Sequence, residues 1–171
     1  MIDTAPFRHT AARLGFDASG DAATSAILRT LAASKPAGRM LELGTGVGFG
    51  TAHLLAGMDR AARNLLGTDP RVTFTVQDGT DWLHAHQGQH DDLIFADTWP
   101  GKFWTLDETL SLLAPGGIYV IDDLLPQANW PDGHQEKVDA LRADLNSLTD
   151  LHCAFLDDAT GLMLCTRIRK E

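Results

Sequence analysis

Cysteine is scarce. The 171 residues hold two, Cys153 and Cys165, and so few fit a reducing cytoplasm, where a pair of buried thiols is the ordinary state. No apolar run approaches the length of a membrane span. The N-terminal Met-Ile-Asp-Thr-Ala-Pro lacks the basic flank and apolar run of a secretory signal. A cytoplasmic chain with no membrane partner is therefore expected. Basic residues are also few: 14 Lys and Arg against 23 Asp and Glu give a net charge of −9. That balance argues against nucleic acid as a partner and leaves a small-molecule substrate open. Repeats and low-complexity segments are missing. The length allows a single domain over 1–171 with a real core, and 1–34 reads as its N-terminal helical segment.

What is present centres on Met40 to Gly50, Met-Leu-Glu-Leu-Gly-Thr-Gly-Val-Gly-Phe-Gly. It reads as a short buried strand, a glycine-rich turn and a helix starting near Phe49. Gly44, Gly46 and Gly48 leave no side chains between the backbone and a ligand, so backbone N–H groups and a helix N-terminus can face an anionic or polar group. The dinucleotide pattern Gly-x-Gly-x-x-Gly fails, because Phe49 holds the place of its third glycine.

Around this stretch, strands alternate with helices. Pro6 to Leu14 and Asp21 to Ala33 read as helices, the second with Asp21 at its N-terminal turn. Val72 to Gln77 reads as a strand by its alternation. Asp92 to Ala96 is a continuous apolar run of the buried kind. Phe103 to Leu113 reads as a helix closed by Ala114-Pro115-Gly116-Gly117, followed by a strand over Ile118 to Ile121. The loop Leu124 to Gly133, with Trp130 and two prolines, is a candidate substrate wall. His134 to Leu148 is a helix, and Leu151 to Leu156 with Leu162 to Ile168 a hairpin. The fold class is α/β: a Rossmann-like, mostly parallel sheet with helices on both faces and a C-terminal antiparallel hairpin. Its ligands belong beyond the C-terminal strand ends.

The region 52–71 is short for this layout. The rest of one helix, a strand and a second helix take roughly 30–40 residues. In one reading, Asn64 to Asp69 is strand two, ending in an acid, and its helix is deleted. In another, Asn64-Leu65 ends the second helix and strand two is deleted. In a third, the chain lacks a segment of its parent. An exposed sheet edge there favours self-association, and a homodimer is expected.

Gly44-x-Gly46-x-Gly48 after Leu41-Glu42-Leu43 resembles motif I of the class I methyltransferases. Asp92-Leu-Ile-Phe-Ala-Asp97, Lys102-Phe103, Leu113-Ala-Pro-Gly-Gly117 and Ile121-Asp-Asp-Leu124 follow in order and at familiar spacing. The chain is similar to the bacterial and catechol-type O-methyltransferases that use S-adenosylmethionine (SAM). The resemblance implies that Gly44, Thr45 and Gly46 line the methionine portion of SAM, with Glu42 organising its ammonium group. It places Asp78 near the adenine, Trp99 packed on it, and Asp69 on the ribose if Asn64 to Asp69 is strand two. Each has a plainer role available: Glu42 bonding local backbone, Asp78 a helix cap, Trp99 a core residue, Asp69 a turn before Pro70. Where the family often has serine, this chain has Gly50.

The resemblance further implies that Asp97, Asp122 and Asp123 bind a divalent cation, Mg²⁺ or another, with Asp97 also near the cofactor. Asp123 stands where metal-dependent members have asparagine. The family's lysine base falls on Pro100; Lys102, two residues on, is either its substitute or a plain solvated lysine. His134 is a further candidate base, while His84, His86 and His90 show no metal-ligand spacing. The expected function is SAM-dependent methyl transfer to an oxygen of a small-molecule acceptor. The alternative is a catalytically impaired or truncated member acting as a binding or oligomerisation module.

Overall fold

Five strands and six helices account for the regular structure of residues 2–16, 21–58 and 71–169, which the computed structural model describes. Two units are distinguished: residues 1–38 with 44–76, and residues 39–43 with 77–171.

The first unit holds α1 (Ala5–Leu14), α2 (Ala22–Ala33) and α3 (Phe49–Gly57). Asp21 caps α2, its carboxylate accepting from the Ala23 and Thr24 N–H groups at 2.7 and 2.9 Å. α2 and α3 touch where a glycine removes the side chain between them. A Cβ on Gly57 would stand 2.2 Å from the Arg29 carbonyl oxygen and 2.7 Å from Ala32 Cβ. Phe7 of α1 meets Phe49 of α3 edge-on, ring centres 6.1 Å apart.

The second unit holds β1 (Met40–Leu43), α4 (Gly79–Ala85), β2 (Asp91–Ala96), α5 (Leu106–Ser111), β3 (Leu113–Ile121), α6 (His134–Ser147), β4 (Leu151–Leu156) and β5 (Leu162–Arg167). The sheet order is β1-β2-β3-β5-β4. β1, β2 and β3 are parallel neighbours, and the β4–β5 hairpin joins β3 antiparallel through β5. β2 reads as a continuous apolar run because it is buried: Leu93, Ile94 and Ala96 have no exposed surface. Ile94, Tyr119, Ile121, Met163 and Cys165 of the sheet pack in one cluster with Val138, Leu141 and Leu145 of α6 and Leu83 of α4. Cys153 and Cys165 face each other across the hairpin as free thiols.

Three expectations need correction. Val72 to Gln77 is not a strand: it joins no ladder, with Phe74 and Val76 exposed. Alternation suits a strand only where a neighbour supplies hydrogen bonds, and among the described residues none does. The helix expected from Phe103 begins only at Leu106. Residues 99–104 instead form a tight turn, closed by Gly101 N–H to the Trp104 carbonyl at 2.8 Å, and Thr105 follows at φ 58. Ala114-Pro115-Gly116-Gly117 does not end a helix but belongs to β3, where the register against β2 shifts. Proline offers the ladder no N–H, so the strand bulges there. Residues 59–70 lie outside the described residues, and with them Asp69 and the choice between a missing strand two and a missing helix.

Candidate active site at the strand ends

β2 and β3 are parallel and paired to their last residues, Ala96 against Ile121. Asp97 and Asp122 therefore leave the sheet side by side. The ladder carries on into them: Asp97 N–H donates to the Leu43 carbonyl at 2.9 Å, and Asp122 N–H to the Ala96 carbonyl at 3.2 Å. Asp123 then takes the left-handed conformation, φ 61, which aspartate tolerates better than most residues. One carboxylate oxygen from each of Asp97, Asp122 and Asp123 lies within 4.8 Å of the other two.

The cluster is braced. Asp122 Oδ1 accepts the Asp123 N–H at 2.8 Å and the Thr160 hydroxyl. Asp123 Oδ1 accepts Gln127 Nε2 at 2.7 Å. Thr160 belongs to the hairpin turn, which Leu124 and Leu125 hold by hydrogen bonds to Gly161 and Thr160. Lys102 is 4% exposed; its Nζ donates to the Asp122 carbonyl at 2.9 Å. The tight turn after Trp99 is what brings this lysine inside, and the buried Tyr119 hydroxyl fastens that turn by donating to the Gly101 carbonyl.

Burial and crowding shift these groups. Asp97 is pushed up to about 8, first by burial, then by Asp122, Asp123 and Glu42, with Lys102 opposing. Burial also raises Asp122, with Asp123 adding to it. Burial lowers Lys102, against the pull of all three aspartates. Three carboxylates facing one ammonium must keep protons or share a cation. An all-oxygen donor set of this charge fits Mg²⁺, Mn²⁺ or Ca²⁺.

An aromatic group stands beside the cluster. His134, first residue of α6 and 5% exposed, packs with Trp130, Phe103 and Trp99 at ring-centre distances of 4.4, 5.1 and 5.6 Å. Its Nδ1 is buried without a partner among the described residues. Burial lowers its pKa, as do Lys102 and Lys137, so its neutral form is favoured. Lys137 places its ammonium 4.6 Å from the centre of the Trp99 ring. A cavity of about 450 Å³ opens next to Lys102, between Phe103, Trp104 and the α6 residues Lys137 and Leu141.

Of the other anticipated residues, Glu42 lies on β1 opposite Phe95 and adds to the field on Asp97. Asp78 caps α4, its Oδ1 accepting from the Thr80 and Asp81 N–H groups at 2.8 and 3.3 Å. Trp99 is 36% exposed and so not a core residue. The glycine loop, in the first unit, has φ values of 90, 50 and 89 at Gly44, Gly46 and Gly48, and its turn is closed by Gly48 N–H to the Thr45 carbonyl at 2.8 Å. Only glycine adopts such a run at little cost. Thr160 and Gln127 were not anticipated. Both sit in segments that read as a plain turn and a loop, and only the folded hairpin brings them to the acids.

No protein-family model matches the chain, and no curated protein does. Solved structures do. The O-methyltransferase TomG from Streptomyces achromogenes, involved in tomaymycin synthesis and solved with SAM, superposes with a TM-score of 0.78 at 20% identity, covering 98% of this chain and 91% of that one. This is the Rossmann-like methyltransferase fold. An O-methyltransferase from Bacillus cereus, solved with S-adenosylhomocysteine (SAH), shares it at a TM-score of 0.76 and 15% identity, covering 98% and 92%. So does a methyltransferase from Geobacter sulfurreducens, at 0.72 and 18%, again covering 98% and 92%.

Proposed function

We propose that this chain transfers a methyl group from SAM to an oxygen of a small-molecule acceptor. One observation supports the reading above the rest: on a methyltransferase fold, Asp97, Asp122, Asp123 and the buried Lys102 converge where parallel strands end. Glu42 and Gly44-Thr45-Gly46 would hold the methionine end of SAM, with Asp78 and Trp99 toward its adenosine. Asp97, Asp122 and Asp123 would hold a divalent cation. When bound, SAM supplies an electrophilic methyl group, and the cation a positive field at the acceptor oxygen.

This chain's own residues do the rest. The acid cluster fixes the position of the acceptor hydroxyl, and position is a large part of catalysis in a displacement reaction. Lys102 acts as base in its neutral amine form, which burial favours: its free Nζ lone pair takes the hydroxyl proton as the oxygen attacks. The aromatic group of Trp99, Phe103, Trp130 and His134 keeps bulk water from the reacting oxygen. Among the described residues, no helix is long and apolar enough to cross a membrane.

That Val72 to Gln77 is not a strand favours a second reading, a methyltransferase-fold module that binds or self-associates without turnover. Incubation with SAM and a set of hydroxylated small molecules, read by mass spectrometry, decides between them. Methylated product and SAH formed together support the enzyme. SAM bound but never converted, even with Mg²⁺ or Mn²⁺, supports the module.

A further inference from the structure

The space that glycine leaves open beside Gly46 is already occupied. A Cβ on Gly46 would lie 3.0 Å from Phe16 Cζ and 3.2 Å from Phe16 Cε1, so the Phe16 ring rests directly on the loop backbone. Its position is set by the end of α1. Gly15 closes that helix in the left-handed conformation at φ 63, and Phe16 N–H donates to the Ala11 carbonyl at 2.9 Å. α1 is in turn docked on the helix that follows the loop, through the edge-on pair of Phe7 and Phe49. Phe16 is thus the side chain that α1 delivers to the glycine loop. Even so, the residue is 38% exposed.

We propose that Phe16 forms an aromatic wall of the cofactor site, facing the sulfonium of SAM and favouring it over neutral SAH. The assignment rests on the reading that the loop holds the methionine end of SAM. An aromatic face attracts a cation through its quadrupole and offers a neutral thioether only contact. The same wall therefore holds the substrate form of the cofactor and releases the product form.

Calorimetric titration of the full chain with SAM and, separately, with SAH tests this. Phe16→Leu keeps an apolar side chain of similar size and removes the ring, and Phe16→Trp keeps a ring. Phe16→Leu should weaken SAM binding by about 3–30-fold and SAH binding less, so that the preference for SAM narrows. Phe16→Trp should restore the preference, which a merely structural side chain would not do. Phe16→Met carries the same test if Phe16→Leu fails to fold, as judged by circular dichroism. Equal changes for both ligands, or none, in a folded variant of a wild-type protein that binds SAM would overturn the Phe16 assignment alone. Binding of neither ligand by the wild-type chain would overturn the cofactor reading, and this assignment with it.

Discussion

Asp97→Asn should stabilise the metal-free protein while removing its activity. The Asp97 carboxyl is pushed up to about 8 in the folded chain, by burial first and by Asp122, Asp123 and Glu42 after it; in an unfolded chain it titrates near about 3.9. Between those values the folded state keeps a proton that the unfolded state has released. The stability this gives is fully present below the unfolded value and is lost as pH rises through the folded one. The whole shift corresponds to about 5–6 kcal/mol, of which about 4 kcal/mol has been lost by pH 7. Burial raises Asp122 as well, so the two protonations are linked, and solvent reaches part of the carboxyl, so about 2–3 kcal/mol is the working figure. Asparagine has no proton to lose, and its gain at pH 7 is about 4–12 °C in Tm for a chain of this size. Thermal melts from pH 4 to pH 9 in chelator measure it. Wild-type stability should fall with pH more steeply than that of the variant, and Mg²⁺ should raise the wild-type Tm at pH 8 but not the variant's. A variant less stable than wild type at pH 7, or one with the same pH slope, would refute the reasoning.

Other outcomes follow from the same geometry. Gly46→Val, forced to φ 50 against the Phe16 ring, should cost about 1–3 kcal/mol of local strain and weaken SAM binding at least tenfold, read by calorimetry on protein shown to be folded. Lys102→Met should lower methyl transfer by about 10²-fold or more at unchanged SAM affinity, whereas loss of both together would mean the lysine is structural. Gly57→Ala should cost about 1–3 kcal/mol in urea denaturation, because its Cβ meets the Arg29 carbonyl and Ala32.

The acid cluster was legible because parallel neighbours end level with one another. Two acids following two adjacent buried strands are brought together by pairing alone, and Asp92 to Ala96 and Ile118 to Ile121 announce their burial by composition. The glycine loop and the closing hairpin were legible for similarly local reasons. What escaped depends on partners distant in sequence. Val72, Phe74 and Val76 alternate as a strand does, but alternation says nothing of whether a ladder partner exists. Thr105 at positive φ shortens α5 without a glycine to mark it. Pro115-Gly116-Gly117 reads as a helix stop until β2 is seen beside it. Phe16 reaches Gly46 across 30 positions of chain, and Thr160 reaches Asp122 only through the hairpin.

The claim on which the rest depends is that the fold binds SAM. Equilibrium dialysis of the purified chain against radiolabelled SAM measures it without knowledge of the acceptor. The account predicts saturable binding of about one equivalent per chain, displaced by SAH. A folded chain that retains no label up to millimolar SAM, with or without Mg²⁺, would contradict it.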